Sequence, residues 1–380
     1  MKQDISKSKI VLIDFHAAGH HPTYLKLFAD ALGDQLVAIS APQSEPEQAI
    51  PDTVTRLATF TPVWSRYWRC RGKAAFVSIE RFFFLARVLR QFERAANTQI
   101  DRVVFACLYD GEFRGSAIWK FVWKWDWSAL YLHPVFDSDG EPSLRGWMKL
   151  ASLRRVALLD ETRAEVLSLK AGKPFVRMPD AVFPCSSESE MRMRLRALKG
   201  DRFGVILTGF LHPQKGVVEF LDLVDRLDSS RFFFALVGAI HFPDYEPQDQ
   251  ERLLLFSQEA ENGFAYFQRV IREEVLNGLI EECDVVFAAY RDWKFSSNTV
   301  GKASVFRKPL LVTAGELMGD RVERFRLGLA IPEGDVAAME SALITIREST
   351  VSKTVRADWE GYLEEHSVEA FSRAVSEMVE

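Results

Sequence analysis

Lys215, set between Gly209 and Gly216, and the run Ser296-Ser297-Asn298-Thr299 have the residue types and spacing that suit them to holding an anion. Before the lysine comes an apolar run, Val205-Ile206-Leu207, with no polar break, the pattern of a strand covered on both faces. Gly209 is expected to let the backbone leave that strand sharply. Val217, Leu221, Val224 and Leu227 follow at helical spacing, which puts Lys215 at or just before a first helical turn, at the carboxyl end of a strand. Ligands of open α/β sheets bind at such ends. An anion there meets free backbone N–H groups and the positive end of the helix dipole, and a lysine adds a full mobile charge. A solvated lysine beside a helix start is the plain alternative.

The second turn adds to the first. Cys283-Asp-Val-Val-Phe-Ala-Ala-Tyr290 has the pattern of another buried strand, and after the loop from Arg291 to Phe295 come four residues that all favour the N-cap. One cap needs one such residue, so four in a row bring more hydroxyl and N–H groups to one point than capping requires. Ordinary capping remains the alternative for this run taken alone. With the Lys215 turn beside it, a diphosphate is the expected anion.

In the first half, Phe15-His16-Ala-Ala-Gly19-His20-His21-Pro22 joins a strand to a helix with Tyr24, Leu25, Phe28, Ala29 and Leu32 on one side. Pro22 suits a first helical turn, and Gly19 lets backbone approach a ligand closely. Three histidines within six residues raise the question of a metal, but no partner motif completes a tetrahedral set, and no metal is expected. His133 ends the strand-like Leu130-Tyr-Leu-His133, where catalytic groups of such sheets stand, although a lone histidine at a strand end is more often structural. Asp137-Ser138-Asp139 is a D-x-D triplet and is taken as a surface loop.

Strand-like runs alternating with helical patterns position these groups, the signature of parallel α/β sheets. The first series is Ile10 to Phe15, Leu36 to Ser40, Val103 to Leu108, Ala129 to Leu132, Val156 to Leu159 and Phe175 to Arg177, and a second begins at Phe203. Pro179 to Glu188 has prolines, serines and no periodicity. The expected division is therefore a first domain over 1–180, a linker with a first helix over 181–200, a second domain over 201–350 and a helical tail over 351–380. That tail has helical spacing at Val368, Phe371, Val375 and Met378, and either packs on the second domain or crosses back to the first.

The 380 residues suffice for two domains, and 48% hydrophobic with 27% charged residues is ordinary globular composition. A net charge of −5 argues against a general nucleic-acid binder. Cys70, Cys107, Cys185 and Cys283 lie far apart with no C-x-x-C pair, which fits a reducing compartment, with the cytoplasm as the default. No stretch approaches the roughly 18 uncharged apolar residues of a membrane span. Between Phe60 and Asn97, eight basic residues (Arg66, Arg69, Arg71, Lys73, Arg81, Arg87, Arg90, Arg94) face only Glu80 and Glu93, among Trp64, Tyr67, Trp68, Phe76 and Phe82 to Phe84. This stretch is either a peripheral contact with an anionic membrane or a long amphipathic helix whose aromatics are core. Trp119, Trp123, Trp125 and Trp127 form a second aromatic group that could stack on a sugar.

From about Phe203 to Ile346 the chain resembles the donor-binding domain of GT-B glycosyltransferases, and is most similar to the large retaining family 4. Gly209 to Gly216 is similar to that family's Gly-Arg-Leu-x-x-x-Lys-Gly turn, Phe234-Ala-Leu-Val-Gly238 to its Leu-x-Leu-Val-Gly strand, and Cys283-Asp-Val-Val-Phe to its Ala-Asp-Val-Phe. Lys302-Ala to Lys308-Pro-Leu-Leu-Val resembles its Glu-Ala-x-x-x-Gly-Lys-Pro-Val, and Gly328 to Asp335 its Gly-x-x-Val-x-x-Gly-Asp. The resemblance implies an α/β protein of the GT-B fold, two Rossmann-like parallel-sheet domains facing a central cleft. It further implies a hexosyltransferase-type enzyme that moves sugar from a UDP- or GDP-sugar to a hydroxyl of a glycan, lipid-linked or small-molecule acceptor. Cell-envelope polysaccharide synthesis is the expected setting, with retention at the anomeric carbon and no obligatory metal or other cofactor. Gly19 would face the donor phosphates, Lys215 with Ser296 to Thr299 would bind and stabilise the leaving diphosphate, and His133 would lie next to the transferred sugar.

Three positions depart from the family. Phe210 stands where it has an arginine, and its two glutamates fall on Lys294 and Lys302. A lysine donates to hydroxyls but cannot accept from them, so the glutamates' roles do not carry over. Lys294 or Lys302 could replace the missing arginine charge. A non-catalytic protein that senses nucleotide sugar or serves as a partner subunit is the alternative function, and a GT-B epimerase or phosphorylase a further one.

Overall fold

The computed structural model describes residues 8–16, 21–42, 51–61, 73–113, 119–138, 140–258, 263–268, 271–354 and 356–380. The elements run β1 (Ile10–Ile13), α1 (His21–Leu32), β2 (Leu36–Ser40), β3 (Thr55–Arg56), α2 (Lys73–Ala95), β4 (Arg102–Tyr109), α3 (Trp119–Val122), β5 (Asp126–His133), β6 (Leu153–Leu158), α4 (Glu161–Ala171) and β7 (Phe175–Arg177). They continue with α5 (Glu190–Lys199), β8 (Phe203–Leu211), α6 (Val217–Arg226), β9 (Phe232–Ile240), α7 (Pro247–Gln258), β10 (Gly263–Phe267), α8 (Glu273–Glu282) and β11 (Val285–Ala288). The last are α9 (Asn298–Val305), β12 (Leu310–Thr313), α10 (Leu317–Phe325), β13 (Gly328–Ile331), α11 (Val336–Val351), α12 (Trp359–Glu365) and α13 (Val368–Val379). The chain divides into two compact units, Met1–Pro179 with Val368–Glu380, and Asp180–Ser367. The segment taken as a linker, 181–200, thus lies within the second unit, as do α11 and α12, and of the tail only α13 joins the first.

In the first unit a parallel sheet has the order β3-β2-β1-β4-β5-β6-β7. β4 and β5 are buried along their whole middle, as apolar strands covered on both faces must be. The core is strongly aromatic: Phe105 packs edge-on against Trp127 at 5.6 Å, and Phe113 stacks on Trp127 at 4.9 Å. Trp119, Trp123, Trp125 and Trp127 are all buried in this cluster, which leaves them no face to stack on a sugar: α3, the residues after it and the start of β5 point them inward. α13 completes this unit by covering α1, with Phe371 stacked on Tyr24 and edge-on to Phe28.

The second unit has a parallel sheet of order β10-β9-β8-β11-β12-β13. Its strands bury residues on both faces: Val205 and Leu207 join one core with Phe220, Phe234 and Phe287, while Ile206 joins another with Phe233, Val286 and Tyr362. Phe220 meets Phe234 and Phe287 edge-on at 5.3 and 5.4 Å. Each such buried ring contributes about 1.5–3 kcal/mol.

Gly209 does not end its strand as expected. β8 runs on to Leu211, paired with β9 from Phe203↔Phe232 to Leu211↔Ile240, and Gly209 lies opposite Gly238. Both have positive φ, +108° and +149°, and a Cβ on Gly238 would stand 1.7 Å from the Gly209 carbonyl oxygen. The two glycines serve close approach of the strands, and the chain turns only after them.

Candidate functional sites

In each sheet the strand order reverses between two central neighbours, β1 and β4 in the first unit, β8 and β11 in the second. The loops leaving the carboxyl ends of such strands diverge and leave a crevice, where open α/β sheets take their ligands.

At the second unit's reversal, β8 is followed by the 3-10 turn Pro213–Lys215 and then α6, which begins after Gly216 in the left-handed region (φ +73°). A Cβ at Gly216 would stand 2.5 Å from the Ala289 carbonyl oxygen, so this turn must be glycine to lie against the end of β11. No side chain caps α6, whose first turn carries the buried Glu219, and an uncapped helix start is a place where an anion can bind. Lys215 Nζ lies over the Tyr290 ring at 3.8 Å and the Trp293 ring at 4.8 Å, a cation–π cradle that fixes its charge.

The hydroxyls of the second loop reach the same tyrosine. Tyr290 Oη is 3.2 Å from Thr299 Oγ1, which accepts from Ser297 Oγ at 3.0 Å. Ser297 also caps α9, accepting from the Thr299 N–H. Burial by itself would raise the Tyr290 pKa, but the Lys215 charge and hydrogen bonds with Thr299 and Ser297 outweigh it and lower the phenol below its ordinary value. Asn298 opens α9 half-buried. Thus Lys215, Ser297 and Thr299 meet around Tyr290.

The remaining residues of this group go elsewhere. Ser296 Oγ donates to Asp180 Oδ2 at 2.5 Å and accepts from Arg321 Nη1 at 2.6 Å, both partners almost wholly buried. The Asp180 N–H in turn donates to His366 Nδ1. Lys302 is buried late in α9, with Nζ 3.5 Å from Glu273 Oε1 on α8, and Lys294 is half-buried in the loop before α9. Phe210 is 56% exposed at the end of β8, with its ring parallel to that of His212.

At the first unit's reversal, β1 is followed by His16 and β4 by the 3-10 turn Asp110–Phe113. Gly19 and His20 lie outside the described residues. His16 Nε2 lies 2.7 Å from Glu112 Oε1, whose other oxygen accepts from the Tyr109 N–H at 3.0 Å. That hydrogen bond raises the His16 pKa, a rise that burial opposes and the charges of Glu112 and Asp14 support. His21 is buried, with Nδ1 2.9 Å from Asp14 Oδ1 and Nε2 3.1 Å from Tyr109 Oη. Burial, then the neighbouring Cys107, Asp14 and Glu112, drive the Tyr109 phenol far up, so it remains a proton donor. His133 ends β5 beside this group, its ring edge-on to Tyr109 at 5.2 Å.

Among the described residues, Asp14, His21 and Cys107 form a group whose potential metal-ligating atoms lie within 4.8 Å of one another. Each already has an internal role: His21 bonds Asp14 and Tyr109, and burial together with the Asp14 and Glu112 charges holds Cys107 as the thiol. Asp137 accepts from the Glu141 N–H in an exposed turn, while Asp139 lies outside the described residues.

Sequence reasoning missed Tyr290, Trp293, Glu112, Arg81, Asp180 and Arg321 as parts of these sites. Arg321 carried the one readable signal. It lies on the apolar stripe of α10 with Met318, Val322 and Phe325, where a charge needs a buried partner.

No protein-family model matches the chain, and no curated protein matches it significantly. Solved structures match over nearly the whole length. Anabaena HepE in complex with UDP and glucose aligns at TM-score 0.67 with 16% identity, covering 97% of this chain and 98% of that one. Sucrose-phosphate synthase from Thermosynechococcus elongatus aligns at 0.66 with 15% identity, covering 98% and 97%. A UDP-forming trehalose-phosphate synthase from Burkholderia xenovorans aligns at 0.69 with 12% identity, covering 98% of each. The fold is thus that of the GT-B glycosyltransferases, two Rossmann-like units with parallel sheets. At these identities the likeness extends to the fold alone.

Proposed function

We propose that the protein is a glycosyltransferase that moves a hexosyl group from a nucleoside diphosphate sugar to an acceptor hydroxyl. The observation that carries this reading is the convergence of Lys215, Ser297 and Thr299 on Tyr290 at the strand reversal of the second unit, beside the uncapped start of α6. The similar structures include a complex with UDP and glucose and a UDP-forming enzyme, which favours UDP over GDP as the donor's nucleotide. As the bond from sugar to diphosphate breaks, negative charge grows on the leaving oxygens. Lys215, already fixed by two rings, and the N–H groups of α6 would meet that charge without rearranging.

The second unit would hold the donor and the first the acceptor, a glycan, a lipid-linked or a small-molecule glycoside, with His133 touching the transferred sugar. Retention at the anomeric carbon without an obligatory metal follows from the family resemblance, and NMR of the first product's anomeric proton tests it. Peripheral membrane contact is proposed for the exposed stripe of α2 formed by Phe76, Phe83, Arg87, Arg90 and Arg94. Failure to float with anionic vesicles at low salt would overturn it. Among the described residues, no helix is long and apolar enough to cross a membrane.

The test of the main reading is thermal denaturation with UDP, GDP and their sugars, followed by turnover with the nucleotide that stabilises. UDP should raise Tm, and UDP-sugar should be consumed. No stabilisation by any nucleotide would sink the reading. Binding without turnover across glycan acceptors would favour a nucleotide-sugar sensor or partner subunit, which Phe210 in the arginine's place and the engagement of Lys302 by Glu273 support.

A further inference from the structure

The first unit holds an open cavity of about 520 Å³ at its strand reversal, lined by His16, Val77, Ser78, Arg81, Tyr109 and Glu112 among others. Most of its polar groups are spent. Ser78 Oγ donates to the Glu112 carbonyl, Glu112 accepts from Tyr109 N–H and pairs with His16, and Tyr109 Oη bonds His21.

Arg81 is different. It reaches the cavity from α2 with its guanidinium 4.3 Å over the Phe15 ring and 5.3 Å from that of Phe60. Its side chain is 13% exposed, and Nε is buried without a hydrogen-bond partner among the described residues. Its carboxylate partner, Glu112 Oε1, is 3.6 Å from Nη1 and is shared with His16, which holds the same oxygen at 2.7 Å. A guanidinium desolvated by aromatic rings, with one donor unfilled and half of a carboxylate for company, is under-compensated. His16 adds a second cationic group when protonated, and its Nδ1 makes no bond to the described residues. The planar fork of arginine matches a carboxylate or a phosphate, each of which offers two oxygens in its plane.

We infer that this cavity is an oxyanion subsite, in which Arg81 and His16 bind the carboxylate or phosphate of an acidic acceptor. Resting on the glycosyltransferase reading, it narrows the acceptor to a sugar or glycoside that carries such a group near the receiving hydroxyl.

The test is calorimetry on the full chain, with UDP saturating, using three probes: a neutral hexose, its 6-phosphate and the corresponding hexuronate. At least one acidic probe should bind about tenfold or more tighter than the neutral hexose, as expected of charge-assisted hydrogen bonds. The phosphate and hexuronate arms separate the two sources of the anion. Arg81→Met should abolish the preference, Arg81→Lys should keep part of it, and His16→Gln should weaken it, each with UDP affinity unchanged to show that the second unit is intact. Equal binding of neutral and acidic probes, or an unchanged preference in Arg81→Met, would overturn the inference. If acidic probes bind in an Arg81-dependent way but UDP does not bind, the subsite stands and the glycosyltransferase reading falls. If UDP binds and turns over with no acidic preference, the reverse holds.

Discussion

The two strand reversals occupy equivalent places in similar sheets, yet they are furnished with opposite chemistry. In the second unit a lysine on aromatic faces, two hydroxyls and an uncapped helix start surround one phenol. In the first, short hydrogen bonds join His16 to Glu112 and His21 to Asp14, a largely buried arginine stands 3.6 Å from Glu112, and the His133 ring packs edge-on against Tyr109. The group in the second unit offers a cation and hydroxyls with no carboxylate bound to them among the described residues, whereas the group in the first unit already pairs its cationic side chains with carboxylates of its own. Topology therefore fixes where a ligand sits, and the residue types fix which one.

That contrast can be broken at several points. Lys215→Ala should have the largest effect, lowering turnover of UDP-sugar by about 10²–10³-fold, the scale of losing one pre-organised group facing developing charge. Steady-state kinetics with a UDP titration checks it, and near-normal kcat with intact UDP affinity would remove the lysine from the site. His133→Ala should lower kcat by roughly tenfold, the worth of one polar contact to the sugar, while leaving the Kd for UDP unchanged. A loss of UDP affinity in this variant would blur the division between units.

A smaller change is expected from Ser297→Ala. Loss of the α9 cap should lower stability by up to about 1 kcal/mol in a urea melt, accompanied by weaker UDP binding. A melt shift with no change in UDP affinity would make the serine a cap only.

Smallest is the pH dependence at His16. Its folded pKa is raised above 6.5 mainly by the Glu112 hydrogen bond, with Asp14, Arg81, His21 and Tyr109 also facing the ring. The stabilisation it adds is complete below the unfolded value and is lost as pH rises through the folded one. An NMR titration of the His16 ring should give a midpoint above 6.5, falling in Glu112→Gln. An identical midpoint in both proteins would dissolve the pair.

Much of this fold was legible because its signals are local. The inward side of α1, from Tyr24 to Leu32, is buried as its spacing predicts, and Lys215 stands in the turn before α6. What escaped depends on distant partners. His16 meets Glu112 from 96 positions away, and Ser296 meets Asp180 from 116. Gly209 was misread because the reason for it lies on the next strand, at Gly238. The inward direction of Trp119 was not legible because a helix of four residues has too little periodicity to tell an inward ring from an outward one.

The contact of α13 with α1 ties the order of synthesis to the order of folding. Phe371 fills the gap between Tyr24 and Phe28, and the Met378 carbonyl accepts from Ser128 Oγ inside the same unit. A ribosome making this chain finishes the Asp180–Ser367 unit before the first unit receives its last helix. The first unit therefore waits for a segment made after the whole of the second, although domains usually complete in amino-terminal order. Until then an apolar side of α1 stays bare, and nascent chains stalled before Val368 are the ones that chaperones should find.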